Sequence, residues 1–146
     1  MKYFEDVELG ETTRFGRYEV TREEIVDYAR QFDPQPFHLD EEAARASMFG
    51  GLIASGWHTG AMFIRMVCDD MVPEAATAGS LGFDDLKWLK PVRPGDVLSV
   101  ESVVRGKSES RSRPDRGTVK IESRVSNQRG EVVMSLVSLV IYLRRP

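Results

Sequence analysis

Phe49-Gly50-Gly51-Leu52-Ile53-Ala54-Ser55-Gly56-Trp57-His58-Thr59-Gly60-Ala61-Met62-Phe63-Ile64-Arg65-Met66-Val67 decides the fold. A flexible glycine pair leads into an almost wholly apolar helix, and a helix that is apolar on all sides is a buried one. His58 and Arg65 interrupt the run, which is too short and too polar to span a bilayer comfortably. A buried helix needs a surface around it, and the second half of the chain supplies candidate strands. Val97 to Arg105, Thr118 to Ser126 and Val132 to Leu143 are rich in Val, Ile and Leu. Through Val119-Lys120-Ile121-Glu122-Ser123-Arg124-Val125 apolar and polar residues mostly alternate, the period of a strand with one buried face. Phe83 to Leu89 reads as another strand, stopped by Lys90-Pro91-Val92-Arg93-Pro94-Gly95-Asp96. Asn127-Gln128-Arg129-Gly130 makes a tight turn, and Arg105 to Gly117 a longer charged connection.

These elements predict an α+β domain in which one long central helix is wrapped by a curved antiparallel β-sheet, the hotdog fold. The sheet covers only part of the helix. An isolated protomer would therefore leave apolar surface and a strand edge exposed, and a homodimer is the expected remedy. No repeat, linker or break in composition divides residues 1–146, so a single domain is expected.

Charge and cysteine content narrow the frame. A formal net charge of -3, from 20 Lys and Arg against 23 Asp and Glu, gives no broad attraction to nucleic acid or to an anionic membrane. One cysteine makes no internal disulfide, and Met1-Lys2-Tyr3-Phe4-Glu5-Asp6 carries acids where a secretory signal needs an apolar run. A cytoplasmic setting is expected. Cys68 has no evident activating neighbour and reads as core.

In the first half, Phe15, Tyr18 and Val20 suggest a short strand. Thr21-Arg22-Glu23-Glu24 reads as a capping box, the threonine oxygen meeting a free amide while Glu24 reaches back. Ile25, Tyr28, Ala29 and Phe32 then recur at helical spacing and give the helix its apolar face. Pro34 stops it at Asp33, because proline disfavours helical geometry in the residue before it. The segment Asp33-Pro34-Gln35-Pro36-Phe37-His38 reads as a short, stiff loop carrying a carboxylate and an imidazole close together. Both groups move protons near neutral pH, and adding or removing water requires such a pair at fixed separation. Asp40 reads as the cap of a short helix over Glu41 to Ala46. A metal site is disfavoured: the only other histidine is His58, and no C-x-x-C or H-E-x-x-H pattern exists.

At these residues the chain resembles the MaoC-like dehydratase family, whose best-known members are the R-specific enoyl-coenzyme A hydratases. Tyr28, Asp33, Pro36, His38 and Ala44 match the family's hydratase signature, while Gln35 replaces its usual Asn, Phe37 an aliphatic residue, and Gln31-Phe32 a small pair. Phe83 and Lys90 to Asp96 extend the match, and Gly56 falls where the family places its oxyanion-binding glycine. The resemblance implies reversible addition of water to a trans-2-enoyl thioester, giving a 3-hydroxyacyl thioester. Asp33 is then the base, His38 orients the water and helps pass the proton, and the Gly56 amide stabilises charge on the thioester oxygen. Gln35, Ser55, Trp57 and His58 are the candidate substrate contacts, with Trp57, Thr59 and Met62 packing or lining an acyl tunnel. Ser55 also reads as a helix cap, and a histidine in the first turn of a buried helix is more often hydrogen-bonded structure. No metal and no cofactor is implied beyond the coenzyme A of the substrate. The partner would be an acyl-CoA or acyl-carrier thioester. The basic tract Arg105 to Arg116 fits either coenzyme A phosphates or a solvated hairpin.

The same fold hosts thioesterases that place a carboxylate in or near the central helix. Between Ser55 and Val67 there is no Asp or Glu, which disfavours hydrolysis. A binding module without catalysis is the remaining alternative.

Overall fold

A computed structural model describes residues 1–146, running β1 (Thr12–Glu19), α1 (Arg22–Phe32), α2 (Pro36–Leu39), α3 (Glu41–Ala46), α4 (Gly56–Asp70), β2 (Thr77–Trp88), β3 (Val97–Glu109), β4 (Arg116–Ser126) and β5 (Val132–Leu143). The strands form one antiparallel five-stranded sheet in the order β1-β3-β4-β5-β2, and α4 lies against it in the hotdog arrangement. Alternation decides which side packs: Leu98 and Val100 of β3, Val125 of β4 and Met134 and Leu136 of β5 meet Met62, Phe63 and Met66 of α4 in one core. A smaller cluster of Phe4, Val7, Val104, Val119 and Tyr142 closes the other end of the sheet. No helix is long and apolar enough to cross a membrane.

Several local expectations change. The central helix begins at Gly56, and residues 52–55 before it run extended, with Ile53 N–H donating to Phe37 O at 3.3 Å and Ala54 N–H to Val92 O at 2.8 Å. Nor is α4 buried all round. His58, Thr59, Met62, Phe63 and Met66 face the core, while Trp57, Ile64 and Cys68 are exposed, so Cys68 is not a core residue. The expected 83–89 strand starts earlier, at Thr77, and its register shifts repeatedly against β5. That irregularity suits β2, which is a sheet edge. The connection expected over 105–117 is mostly strand, because β3 runs to Glu109 and β4 starts at Arg116. Arg105 and Arg116 are tied to Glu122 and Asp115, and Lys107 to the Val7 carbonyl.

Candidate functional site

Three short elements place the candidate proton-transfer pair. Helix α1 ends on Asp33, whose N–H donates to Ala29 O at 2.9 Å. The Gln35 N–H then donates to Asp33 O at 2.8 Å, folding the chain tightly over Pro34. Pro36 does more than stiffen a loop. Its fixed φ suits the first helical position, so Pro36–Leu39 is a helical turn that carries His38 inward, where it is buried.

The His38 ring is held from both ends. Nδ1 lies 2.7 Å from Ile53 O, and a carbonyl only accepts, so Nδ1 carries a hydrogen. Nε2 is left as the atom that gains or loses a proton, and it sits 3.3 Å from Asp33 Oδ2. Phe37 packs edge-on against the ring at 4.6 Å. The other carboxylate oxygen, Oδ1, accepts from Gln35 Nε2 at 2.6 Å. Gln35 thus performs, in this chain, the orienting of Asp33. Burial raises the Asp33 pKa, but the Ser55 hydroxyl, the Gln35 amide and the His38 imidazole together outweigh it, and the carboxyl is held below its ordinary value.

Asp33, Gln35, His38, Gly56 and Trp57 line one open cavity of about 350 Å³, together with Phe37, Ile53 and Trp88. Gly56 opens α4, and neither it nor Trp57 nor His58 donates a backbone hydrogen bond. The first satisfied amide is that of Thr59, donating to Ser55 O at 3.0 Å. Glycine is required here for a reason the sequence did not show. A Cβ on Gly56 would fall 2.5 Å from Trp88 Cε2, and the indole N–H donates to Gly56 O at 2.8 Å. Trp57 projects outward, 62% exposed, and meets Trp88 edge-to-face with ring centroids 5.2 Å apart.

Two candidate substrate contacts lie elsewhere. Ser55 is wholly buried and does not line the cavity, and although it precedes α4 its side chain caps nothing. Its Oγ has no hydrogen-bond partner of good geometry, yet it lies near enough to Asp33 to favour the charged carboxylate. Ser55→Ala is therefore expected to lower the melting temperature modestly at neutral pH, because the hydroxyl favours the charged form of Asp33 in the folded protein. The same substitution should move the acidic limb of the pH–rate profile upward; a fall in melting temperature with an unmoved limb would mark Ser55 as purely structural. His58 lines a different groove, with Glu24 and Tyr28, and pairs through Nε2 with Glu24 Oε1 at 2.9 Å. Glu24 accordingly does not close the expected capping box, although its own N–H donates to Thr21 Oγ1 at 3.2 Å.

The basic tract is remote from this cavity within one protomer. At the cavity end β4 and β5 pair Val125 with Met134, and at the other end Gly117 with Tyr142 beside the 110–115 connection. At ~3.3 Å per residue that separation is about 26 Å. A second cavity, about 290 Å³ and mostly apolar, lies between the C-terminal half of α4 and the sheet; Cys68 and Phe83 line it, and neither Asp33 nor His38 does.

A family model described as MaoC like domain matches residues 6–127. The chain is similar to the mesaconyl-CoA hydratase of Cereibacter sphaeroides, 34% identical over 148 residues. That match takes in 99% of this chain but 42% of the hydratase, so the chain spans less than two thirds of that relative's length. Among solved structures it is similar to a MaoC-like dehydratase from Rhodospirillum rubrum, 46% identical with a TM-score of 0.93, covering 99% of this chain and 98% of the other. It is also similar to the R-hydratase PhaJ1 from Pseudomonas aeruginosa, 26% identical with a TM-score of 0.79, covering 99% and 87%. Family model, sequence relatives and shared architecture agree: this chain belongs to the MaoC-like domain family.

Proposed function

We propose that this protein is a hydratase/dehydratase of acyl thioesters, reversibly adding water to a trans-2-enoyl-CoA or the corresponding acyl-carrier thioester. The observation that carries this reading is the Asp33–His38 contact of 3.3 Å in the cavity that Gly56 also lines. As the water oxygen bonds to carbon 3, Asp33 accepts a water proton and the double-bond electrons move toward the thioester oxygen. The free amide at Gly56 stabilises that charge, helped by the positive end of α4. A proton then reaches carbon 2, with His38 Nε2 orienting the water and relaying the proton. Water is the only co-reactant, and the reverse steps dehydrate a 3-hydroxyacyl thioester. The activities by which the relatives are named, a mesaconyl-CoA hydratase and an R-hydratase, support this class.

A spectrophotometric screen of enoyl thioesters varied in length and branching tests the reading. Loss of enoyl absorbance without free thiol is expected. Thiol release would favour a thioesterase, and binding without turnover across the panel a non-catalytic module.

A homodimer belongs to the same proposal. Edge strand β2 exposes Leu81 (66%), Phe83 and Trp88, next to Trp57 and Ile64 of α4. Pairing of two β2 edges would continue the sheet and cover this apolar face. Sedimentation velocity should give a dimer that Leu81→Arg shifts toward monomer; a monomeric unmodified protein would contradict the pairing.

A further inference from the structure

His58 and Glu24 form a second carboxylate–imidazole contact that the proposed reaction does not use. Glu24 lies in the first turn of α1, the helix that ends on Asp33, and His58 lies in the first turn of α4, the helix that begins at Gly56. Glu24 Oε1 is 2.9 Å from His58 Nε2 and also accepts from the Tyr18 hydroxyl of β1. The His58 ring is 2% exposed and stacks flat on Tyr28, centroids 4.7 Å apart and planes 10° apart. Tyr28 in turn senses the site: its hydroxyl pKa is raised by burial and by the charge of Asp33. Beside this bridge, Ile25 of α1 shares the buried core with Met62 and Met66 of α4, and His38 is tied to the Ile53 carbonyl ahead of α4.

The chemistry of the bridge is specific. A carboxylate only accepts, so His58 presents a hydrogen at Nε2, and Nδ1 is then left buried with no partner. An orphaned ring nitrogen destabilises the fold, and an aliphatic side chain stacked on Tyr28 would avoid it. Packing alone does not account for histidine here. The pair at Glu24 does.

We propose that Tyr18, Glu24 and His58 are positioning residues: they lock α1 to α4 and thereby fix the distance between the Asp33–His38 pair and the Gly56 amide. This rests on the hydratase reading, since it assigns both ends of the link to one reaction. Misplacement of reacting groups by about 1 Å costs on the order of 10²-fold in rate, which sets the scale.

Two readouts test it. Glu24→Ala and His58→Ala are each expected to lower kcat for an enoyl-CoA about 10- to 100-fold with KM little changed. The double variant should be no worse than the poorer single, because one link is broken once. His58→Gln, which keeps a side-chain N–H for Glu24, should recover most of the loss. Independently of turnover, ¹⁵N NMR of the histidine rings reports on the site, and with 2 histidines in the chain the surviving signals of a His58 variant belong to His38. Those His38 resonances should move in Glu24→Ala and His58→Ala. Additive losses, a loss carried by KM, or unmoved His38 resonances would overturn the bridge. Should alanine at 58 prevent folding, Glu24→Gln and Tyr18→Phe carry the same comparison. Absence of turnover in the unmodified protein would overturn the hydratase reading, and the NMR result would still decide the bridge.

Discussion

Asp33→Asn is expected to lower kcat for hydration of an enoyl thioester by about 10²- to 10⁴-fold while leaving binding nearly intact. The substitution keeps the size of the side chain and an oxygen to accept from Gln35 Nε2, now 2.6 Å from Asp33 Oδ1. What is lost is the group that takes a proton from water in the proposed reaction. Initial rates over a range of substrate concentration separate the effects: kcat should fall with KM changed little. A loss expressed wholly in KM would make Asp33 a binding residue. The same contacts set the pH dependence. With its pKa held below the ordinary carboxylate value, Asp33 is charged throughout the neutral range, and the base is lost only as pH falls through that lowered value. Its contribution to stability has the same sign: present above the carboxyl's unfolded value and lost as pH falls through the folded one. Removing the His38 imidazole takes away one of the influences that favour the charge, so His38→Ala should shift the acidic limb upward as well as slow the reaction.

The second large effect is expected at Gly56. In Gly56→Ala the new methyl would lie 2.5 Å from Trp88 Cε2 and 2.8 Å from its Nε1, inside van der Waals contact with a ring that also donates to Gly56 O. Either the indole or the start of α4 must move. Overpacking of this kind costs about 1–3 kcal/mol of stability. Displacing the amide proposed as the oxyanion donor is expected to cost about 10²- to 10³-fold in kcat. Combining Gly56→Ala with Trp88→Ala relieves the clash. Recovery of the melting temperature without recovery of rate would show that the glycine serves the chemistry beyond accommodating the indole; recovery of both would reduce it to packing.

Where interactions are local, they were legible in the residues. Val132–Leu143 is a strand with the bounds its β-branched run suggested, and Asp40 caps α3 by accepting from Glu42 N and Ala43 N at 2.8 and 3.0 Å. The closeness of Asp33 and His38 was legible too, because proline chemistry fixes a short segment whatever lies around it. Long-range partners overrode local patterns elsewhere. Glu24 had the spacing of a capping box, but Tyr18 and His58 claim its carboxylate from other elements. Residues 52–55 are as apolar as the helix they precede, and hydrogen bonds to Phe37 and Val92 hold them extended. Phe32 shares the helical spacing of Ile25 and Ala29 yet is 69% exposed, because α1 ends just where the core does. Trp57 faces outward since the sheet covers a single side of α4, and Cys68 is exposed where it lines the second cavity, tertiary facts with no signature in an apolar run. The contact that demands glycine at 56 comes from Trp88, far along the chain, and so had no local sign.

The most direct test of the central claim is the fate of heavy oxygen from water. In ¹⁸O-water with a trans-2-enoyl-CoA, mass spectrometry of the product should show one heavy oxygen on carbon 3 of an intact thioester, incorporated about 10²- to 10⁴-fold more slowly by Asp33→Asn. Heavy oxygen in a free acid accompanied by thiol, or a substrate returned unchanged, would contradict the account.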